Sequence, residues 1–209
     1  MAIFAAIFSI AVAITIGAMS PGPSFVMVAR TALADSRKDG LAAALGMGGG
    51  GVIFATIALL GLLALLTAVP VLYTSLKVLG GAYLIYLGYK IWQGSAHPIT
   101  LSATQQPTLA TQQSFFLGLT TQISNPKTAV VYTSVFASLL PSEVPAFAVI
   151  ALPLVVFMIE VGWYSLVALV LSSTVPRARY LASKKWLDRT AGTISSLLGA
   201  KLIFEANNP

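Results

Sequence analysis

The hydrophobic positions of this chain fall into six long runs separated by short polar stretches. The runs cover residues 3–33, 41–69, 71–92, 115–140, 145–174 and 186–204. Each run, as a helix rising 1.5 Å per residue, is long enough to cross about 30 Å of hydrocarbon. The pattern therefore predicts an all-α polytopic membrane protein with six transmembrane helices.

Composition excludes a soluble fold. Hydrophobic residues make up 57% of the chain and charged residues 9%, with a mean hydropathy of +0.88. Ordinary soluble domains carry about 25% charged residues. We predict a single transmembrane domain over residues 1–209, formed by a first half (1–92), a polar linker (93–114) and a second half (115–209). A signal peptide needs a basic region before its apolar core, and the first charged residue here is Arg30, so we expect the first run to be retained.

The basic residues indicate the orientation in the membrane. The net charge is +6, and basic side chains lie at the first, third and fifth loops, while the second loop has no charge and the fourth only Glu143. These basic residues are Arg30, Arg37, Lys38, Lys90, Arg177, Arg179, Lys184, Lys185 and Arg189. By the positive-inside rule, loops 1-2, 3-4 and 5-6 are cytoplasmic and both termini lie outside. This distribution disfavours a nucleic-acid-binding patch.

Two of the runs contain residues that break helices. Residues 20–23 read Ser-Pro-Gly-Pro, and residues 125–127 read Asn-Pro-Lys. Proline removes a backbone donor and clashes with the preceding turn, so we predict that helices 1 and 4 are broken near mid-membrane. Free backbone groups at that depth survive only where protein or a water-filled cavity satisfies them. Either break alone could be a packing kink, but two matched breaks indicate a binding site.

The two halves of the chain repeat a pattern. Gly81 is followed by Gly88 and then Lys90, and Gly192 is followed by Gly199 and then Lys201. The distance from each break to the first of these glycines is also similar. A duplicated unit of three helices must be inserted upside down, and such inverted repeats with interrupted helices are typical of secondary transporters.

The breaks predict the chemistry of a ligand. Each restarted half-helix, beginning near Ser24 or Lys127, offers free amide groups and a partial positive charge that suit a carboxylate. The preceding halves end in free carbonyls that suit an ammonium group. A zwitterion matches both.

Two full charges, Lys127 and Glu160, also lie deep in apolar runs, where charges are costly. They either pair with each other or bind the two ends of a substrate. Glu160 is the candidate for a coupling proton, because burial favours the protonated carboxyl group. Trp163 and Tyr164 follow on the same helix and either wall the cavity or serve packing. The small residues of the second run, with Gly46 and Gly50 four apart, predict close helix packing and are compatible with a homodimer.

These motifs together resemble the lysine exporter / homoserine–threonine exporter family (LysE/RhtB type) over essentially the whole chain. The matching stretches are Pro21-Gly22-Pro23, residues 39–50, residues 81–88, Asn125-Pro126-Lys127 and residues 189–199. The resemblance implies export of an amino acid or close derivative across the bacterial inner membrane, driven by protons or by exchange. Many family members carry acidic residues where this chain has Ser24 and Gly51, which shifts attention to Glu160 for coupling.

The candidate substrate-binding residues are therefore those at the breaks together with three positions of the fifth run. They are Ser20, Pro21, Gly22, Pro23, Ser24, Asn125, Pro126, Lys127, Glu160, Trp163 and Tyr164. We expect no cofactor, metal site or enzyme activity, because the chain has no cysteine and its one histidine, His97, lies in the polar linker. The alternatives are a cation or metal exporter of the wider superfamily and a membrane scaffold that transports nothing.

Overall fold

A computed structural model describes residues 2–20, 22–34, 36–68, 70–96, 110–141 and 143–207, and these residues form helices without strands. This confirms the all-α prediction. The eight helices are α1 (Ala2–Met19), α2 (Pro23–Ala34), α3 (Arg37–Ala68), α4 (Pro70–Gly94), α5 (Thr111–Ile123), α6 (Pro126–Leu139), α7 (Ala146–Leu171) and α8 (Thr174–Asn207). The first apolar run thus becomes α1 and α2, and the fourth becomes α5 and α6. Most of the polar linker, including His97, lies outside the described residues.

Length and apolar composition identify two of the described helices as candidate membrane spans, Arg37–Ala64 and Ala146–Leu171. A third candidate is the pair Ile3–Met19 and Pro23–Leu33, whose axes meet at 59°. The helices α4 and α8 contain 25 and 34 residues and carry more polar and charged positions. The count of six spans therefore stays a prediction.

The last connection differs from its prediction. The helix α8 begins at Thr174, whereas its apolar run begins at residue 186, and only Ser172 and Ser173 separate it from α7. The basic residues 177–189, which we assigned to a loop, are helical, so that assignment was wrong. Hydropathy marks where a helix can enter lipid, but arginine, lysine and alanine are strong helix formers and extend the helix beyond that point.

Close packing of helices surrounds α3. A methyl group at Gly46 would overlap the carbonyl of Phe115, and one at Gly118 would overlap the carbonyl of Ala43. These glycines therefore allow the backbones of α3 and α5 to touch. On its other side α3 packs against α7, and α4 packs along α8. In lipid no hydrophobic effect drives helices together, so they associate through dispersion, and small residues at the contact let the backbones come close enough for it.

Most of the apolar core lies in two layers, beside a small third cluster of Ile16, Ile91 and Ala191. One layer joins α1, α3, α6 and α7 around Ile10, Leu59, Phe136 and Leu152. The other joins α2, α3 and α7 around Phe25, Met47 and Val167. Along α1–α2, along α3 and along α7 the chain passes from one layer to the other through a short segment that belongs to neither. The first break and Glu160 lie in those segments, so these polar groups form a level between the two apolar layers.

Candidate functional site

The second break is built by Asn125. Its side chain carbonyl Oδ1 accepts a hydrogen bond of 3.0 Å from the backbone amide of Lys127, and Pro126 follows as the first residue of α6. Asparagine is a preferred N-cap, and proline suits the first turn because its missing amide would be orphaned there anyway. The sequence Asn-Pro-Lys thus ends α5 and starts α6 by local chemistry alone.

The first break meets the second directly. The helix α1 ends at Met19, and α2 starts at Pro23, while Pro21 lies outside the described residues. The carbonyl of Ser20, left without a helical partner, accepts a hydrogen bond of 2.7 Å from Lys127 Nζ. A part-buried amine and the carbonyl that follows α1 therefore satisfy each other, as the membrane interior requires.

A chain of buried side chains links the two breaks a second time. Ser24 Oγ donates to Gln122 Oε1 at 2.8 Å and accepts from Asn125 Nδ2 at 2.8 Å. All three residues are buried. The start of α2 is therefore tied both to the end of α5 and to the cap of α6. Relative movement of the two broken helices has to break this chain.

Glu160 lies opposite, in the middle of α7, and is only 3% exposed. Its Oε1 accepts a hydrogen bond of 2.7 Å from the hydroxyl of Tyr132 on α6. Its Oε2 is buried and has no hydrogen-bond partner among the residues that the structure describes. A buried carboxyl oxygen without a donor is costly, so this atom is the natural place for an ammonium group, a water molecule or a proton.

These groups line one central cavity between the breaks and α7. Lys127 and Glu160 both face it, together with Ser20 and Ser24. Its volume of about 20 Å³ holds about one water molecule. Lys127 and Glu160 do not pair with each other here: within the described part of the chain the ion pair is Lys184 with Asp188. The positive and negative groups thus face the same space separately.

The structure brings seven of the eleven predicted site residues to this cavity. They are Ser20, Gly22, Ser24, Asn125, Lys127, Glu160 and Tyr164. Pro23 and Pro126 start α2 and α6 but do not line the cavity. Trp163 packs instead against the apolar layer around Phe25.

Three polar residues that line the cavity escaped the sequence analysis: Gln122, Thr128 and Tyr132. Gln122 is the residue that carries the clearest signal, because an amide side chain in an apolar run has to find a partner. Thr128 and Tyr132 lie in an apolar run near the second break, where threonine and tyrosine are unremarkable. Their positions follow from the rotation of α6, which the sequence does not give.

Comparison with known proteins decides the family. A model of the LysE type translocator family matches residues 15–206. The chain belongs to the LysE type translocator family. This confirms the resemblance predicted from the motifs. Members of this family are membrane translocators and not enzymes.

Individual relatives of this LysE type translocator are named for amino-acid efflux. The threonine efflux protein of Salmonella typhimurium is 32% identical over 198 residues, which cover 94% of this chain and 96% of that protein. The threonine efflux protein of Escherichia coli K12 is 32% identical over 88% of this chain and 91% of its own. The leucine efflux protein of Klebsiella pneumoniae is 29% identical over 85% of this chain and 83% of its own. No solved structure matches the chain. The chain is thus a multi-pass bacterial membrane protein of a family that exports amino acids.

Proposed function

We propose that this LysE type translocator is a secondary transporter that exports an amino acid or close derivative from the cytoplasm across the inner membrane. The observation that carries the proposal is that Lys127 and Glu160 face one central cavity without pairing. An uncompensated charge in the membrane interior costs several kcal/mol, so two of opposite sign that do not neutralise each other need another purpose. A zwitterion supplies the missing partner to both.

Each end of the substrate has a place in this arrangement. The substrate carboxylate would bind the ammonium of Lys127 and the amide end of α6, replacing the Ser20 carbonyl as partner of Nζ. The substrate ammonium would donate to Glu160 Oε2, which has no donor now. The cavity of about 20 Å³ is too small for an amino acid. This supports an occluded conformation that has to expand when substrate enters.

Helix contacts support the inverted repeat, with α1–α4 as one unit and α5–α8 as the other. Exchanging α1 with α5, α2 with α6, α3 with α7 and α4 with α8 should then preserve which helices touch. The contacts of α7 with α1 and α2 match those of α3 with α5 and α6, and the contact of α1 with α6 matches that of α2 with α5. The contacts α3 with α7 and α4 with α8 map onto themselves. Within the described residues four contacts have no counterpart of similar extent under this exchange: α4 with α6, α2 with α3, α1 with α8, and α5 with α6.

The repeat gives the transport cycle its geometry. Two inverted units that rock about a shared midplane site open it first to one side and then to the other. Glu160, which lies in that site, would take up the coupling proton when no substrate ammonium is bound. Loops 1-2, 3-4 and 5-6 would face the cytoplasm, with both termini outside. The helix faces with small residues are compatible with a homodimer. Besides lipid, the site requires one partner, which is the substrate.

The test is counterflow in proteoliposomes, which needs no assumption about the energy source. Vesicles holding the wild-type chain are loaded with one unlabelled amino acid, and entry of the labelled form is followed for threonine, leucine, lysine and homoserine. Threonine and leucine are included because relatives are named for their efflux. We expect one or a few of these to exchange, and Lys127→Ala to lose exchange by at least about a hundredfold, the loss expected when a charge-assisted contact of about 3 kcal/mol is removed.

Matched control variants separate the site from charge in general. Lys185→Ala and Glu143→Gln remove a lysine and a glutamate at exposed positions and should leave exchange unchanged. Glu160→Gln separates two roles: it keeps exchange and loses proton-driven transport if Glu160 carries only the proton, and it loses both if Glu160 binds substrate. If no amino acid exchanges while a known transporter works in the same lipid, the proposal is wrong, and cations or a scaffold role would be examined next.

A further inference from the structure

A second, larger cavity adjoins the central one. It lies among α4, α8 and the two breaks, and its volume is about 170 Å³. A cavity of about 150 Å³ holds a benzene molecule, so this one has room for a small amino acid where the central cavity does not. Ser20 and Lys127 line both cavities. The hydrogen bond between Lys127 and the Ser20 carbonyl therefore lies between the two cavities.

Four charged side chains line this second cavity. Lys90 of α4 and Lys184 and Asp188 of α8 line it, in addition to Lys127. Three amines and one carboxylate give its wall an excess of two positive charges. A potential of this sign concentrates anions at the mouth and draws them inward.

The pair of Lys184 and Asp188 is unusual for its burial. Their side chains are 8% and 5% exposed, and Lys184 Nζ donates both to Asp188 and to the carbonyl of Gly94 at 3.2 Å. An exposed pair one helical turn apart contributes little to stability, and burying it costs several kcal/mol per charge. A buried charge in a membrane protein more often marks the path of a charged ligand.

We propose that this cavity is the cytoplasmic entry site of the transporter and that it binds the carboxylate of the incoming amino acid. The inference rests on the function proposed above. The carboxylate first binds Lys184 and Lys90, and the ammonium turns toward Asp188. The substrate then passes to Lys127, whose release from the Ser20 carbonyl opens the wall into the central cavity. Lys127 would thus serve both the entry site and the central site.

The chain lends itself to a direct test, because it has no natural cysteine. Gly94 lines the entry cavity and a Cβ there would meet no atom within 4 Å, so Gly94→Cys adds a thiol at the cavity lining without a clash. In inverted membrane vesicles, its reaction rates with two impermeant thiosulfonates are compared, the anionic sulfonatoethyl and the cationic trimethylammonioethyl reagent. Lys38→Cys, at an exposed position, gives the ratio of the two rates outside any cavity. Gly162→Cys, on an exposed face of α7 and also free of clashes, tests for reaction from lipid.

We expect the ratio of anionic to cationic rate at Gly94→Cys to exceed that at Lys38→Cys by at least about fivefold, a preference of roughly 1 kcal/mol for two net charges near the thiol. Lys90 is exposed, so Lys90→Gln should not disturb folding. It should lower the preference for the anionic reagent, and Lys184→Gln should lower that preference further. Attachment of the anionic group should also block counterflow. Equal ratios at the two positions, unimpeded counterflow after labelling, or reaction from the opposite side only would overturn the proposal.

The labelling readout does not depend on transport. If no amino acid exchanges but the charge preference is present, the function proposed above fails while the anion-attracting cavity stands without its role as an entry site. If exchange is present and the preference is absent, transport stands and this entry site is wrong.

Discussion

Lys127 Nζ donates a hydrogen bond of 2.7 Å to the backbone carbonyl of Ser20, 107 positions earlier in the chain. Lys127, the second residue of α6, thus satisfies the carbonyl that follows the end of α1. This contact joins the two breaks into one site and predicts that they move together.

The cap of α6 should contribute to both stability and transport. Asn125 accepts from the amide of Lys127 and donates to Ser24, so Asn125→Ala removes both bonds. Loss of an N-cap costs about 1 kcal/mol, which corresponds to about 2–4 °C in melting temperature for a chain of this size. We expect at least this decrease, measured by thermal unfolding in detergent, with reduced counterflow. Asn125→Asp keeps the cap acceptor and should recover part of the stability. Equal melting temperatures for all three chains would contradict this account.

Tyr132 should be coupled energetically to Glu160. Its hydroxyl is the donor to Oε1, and Tyr132→Phe leaves a second buried carboxyl oxygen without a donor. We expect a destabilisation of about 1–3 kcal/mol. In a double-mutant cycle with Glu160→Gln, the two changes should be non-additive by more than about 0.5 kcal/mol. Tyr86→Phe, at an exposed tyrosine, is the matched control and should have no effect. Additive effects would mean that the hydrogen bond contributes nothing.

The glycines between α3 and α5 should be far less tolerant than glycines on open faces. A methyl group at Gly118 would overlap the carbonyl of Ala43, whereas one at Gly162 meets nothing within 4 Å. We therefore expect Gly118→Ala to lower the melting temperature by several degrees or to abolish folding. Gly162→Ala should raise it slightly, since alanine is favoured over glycine in a helix by about 1 kcal/mol. Size-exclusion chromatography after stepwise heating measures both, and similar behaviour of the two variants would refute the packing argument.

The orientation in the membrane predicts opposite labelling at two positions. Asn208 lies outside the described residues, and Lys38 is exposed near the start of α3. With both termini outside, an impermeant thiol reagent should label Asn208→Cys and not Lys38→Cys in intact cells, with the reverse result in inverted vesicles. The reverse pattern would mean that both termini are cytoplasmic. The entry cavity would then open to the outside.

Sequence alone determined the features that depend on local chemistry. A chain with 9% charged residues needs lipid around it, and proline cannot continue a helix whatever surrounds it. Both breaks follow from this, as does the cap at Asn125. The family also followed from motifs at these positions, since their order along the chain is itself distinctive.

Tertiary structure decided which side chains meet. Trp163 and Tyr164 are neighbours in sequence but differ by about 100° around the helix axis, and the rotation of α7 sends Tyr164 to the cavity and Trp163 to the apolar layer. The same applies to Gln122 and Tyr132, whose partners lie on other helices. That Lys127 bonds to Ser20 and leaves Glu160 unpaired depends on the distance between α6 and α7 across the bundle. No local pattern encodes that distance, because it is fixed only when all the helices pack together.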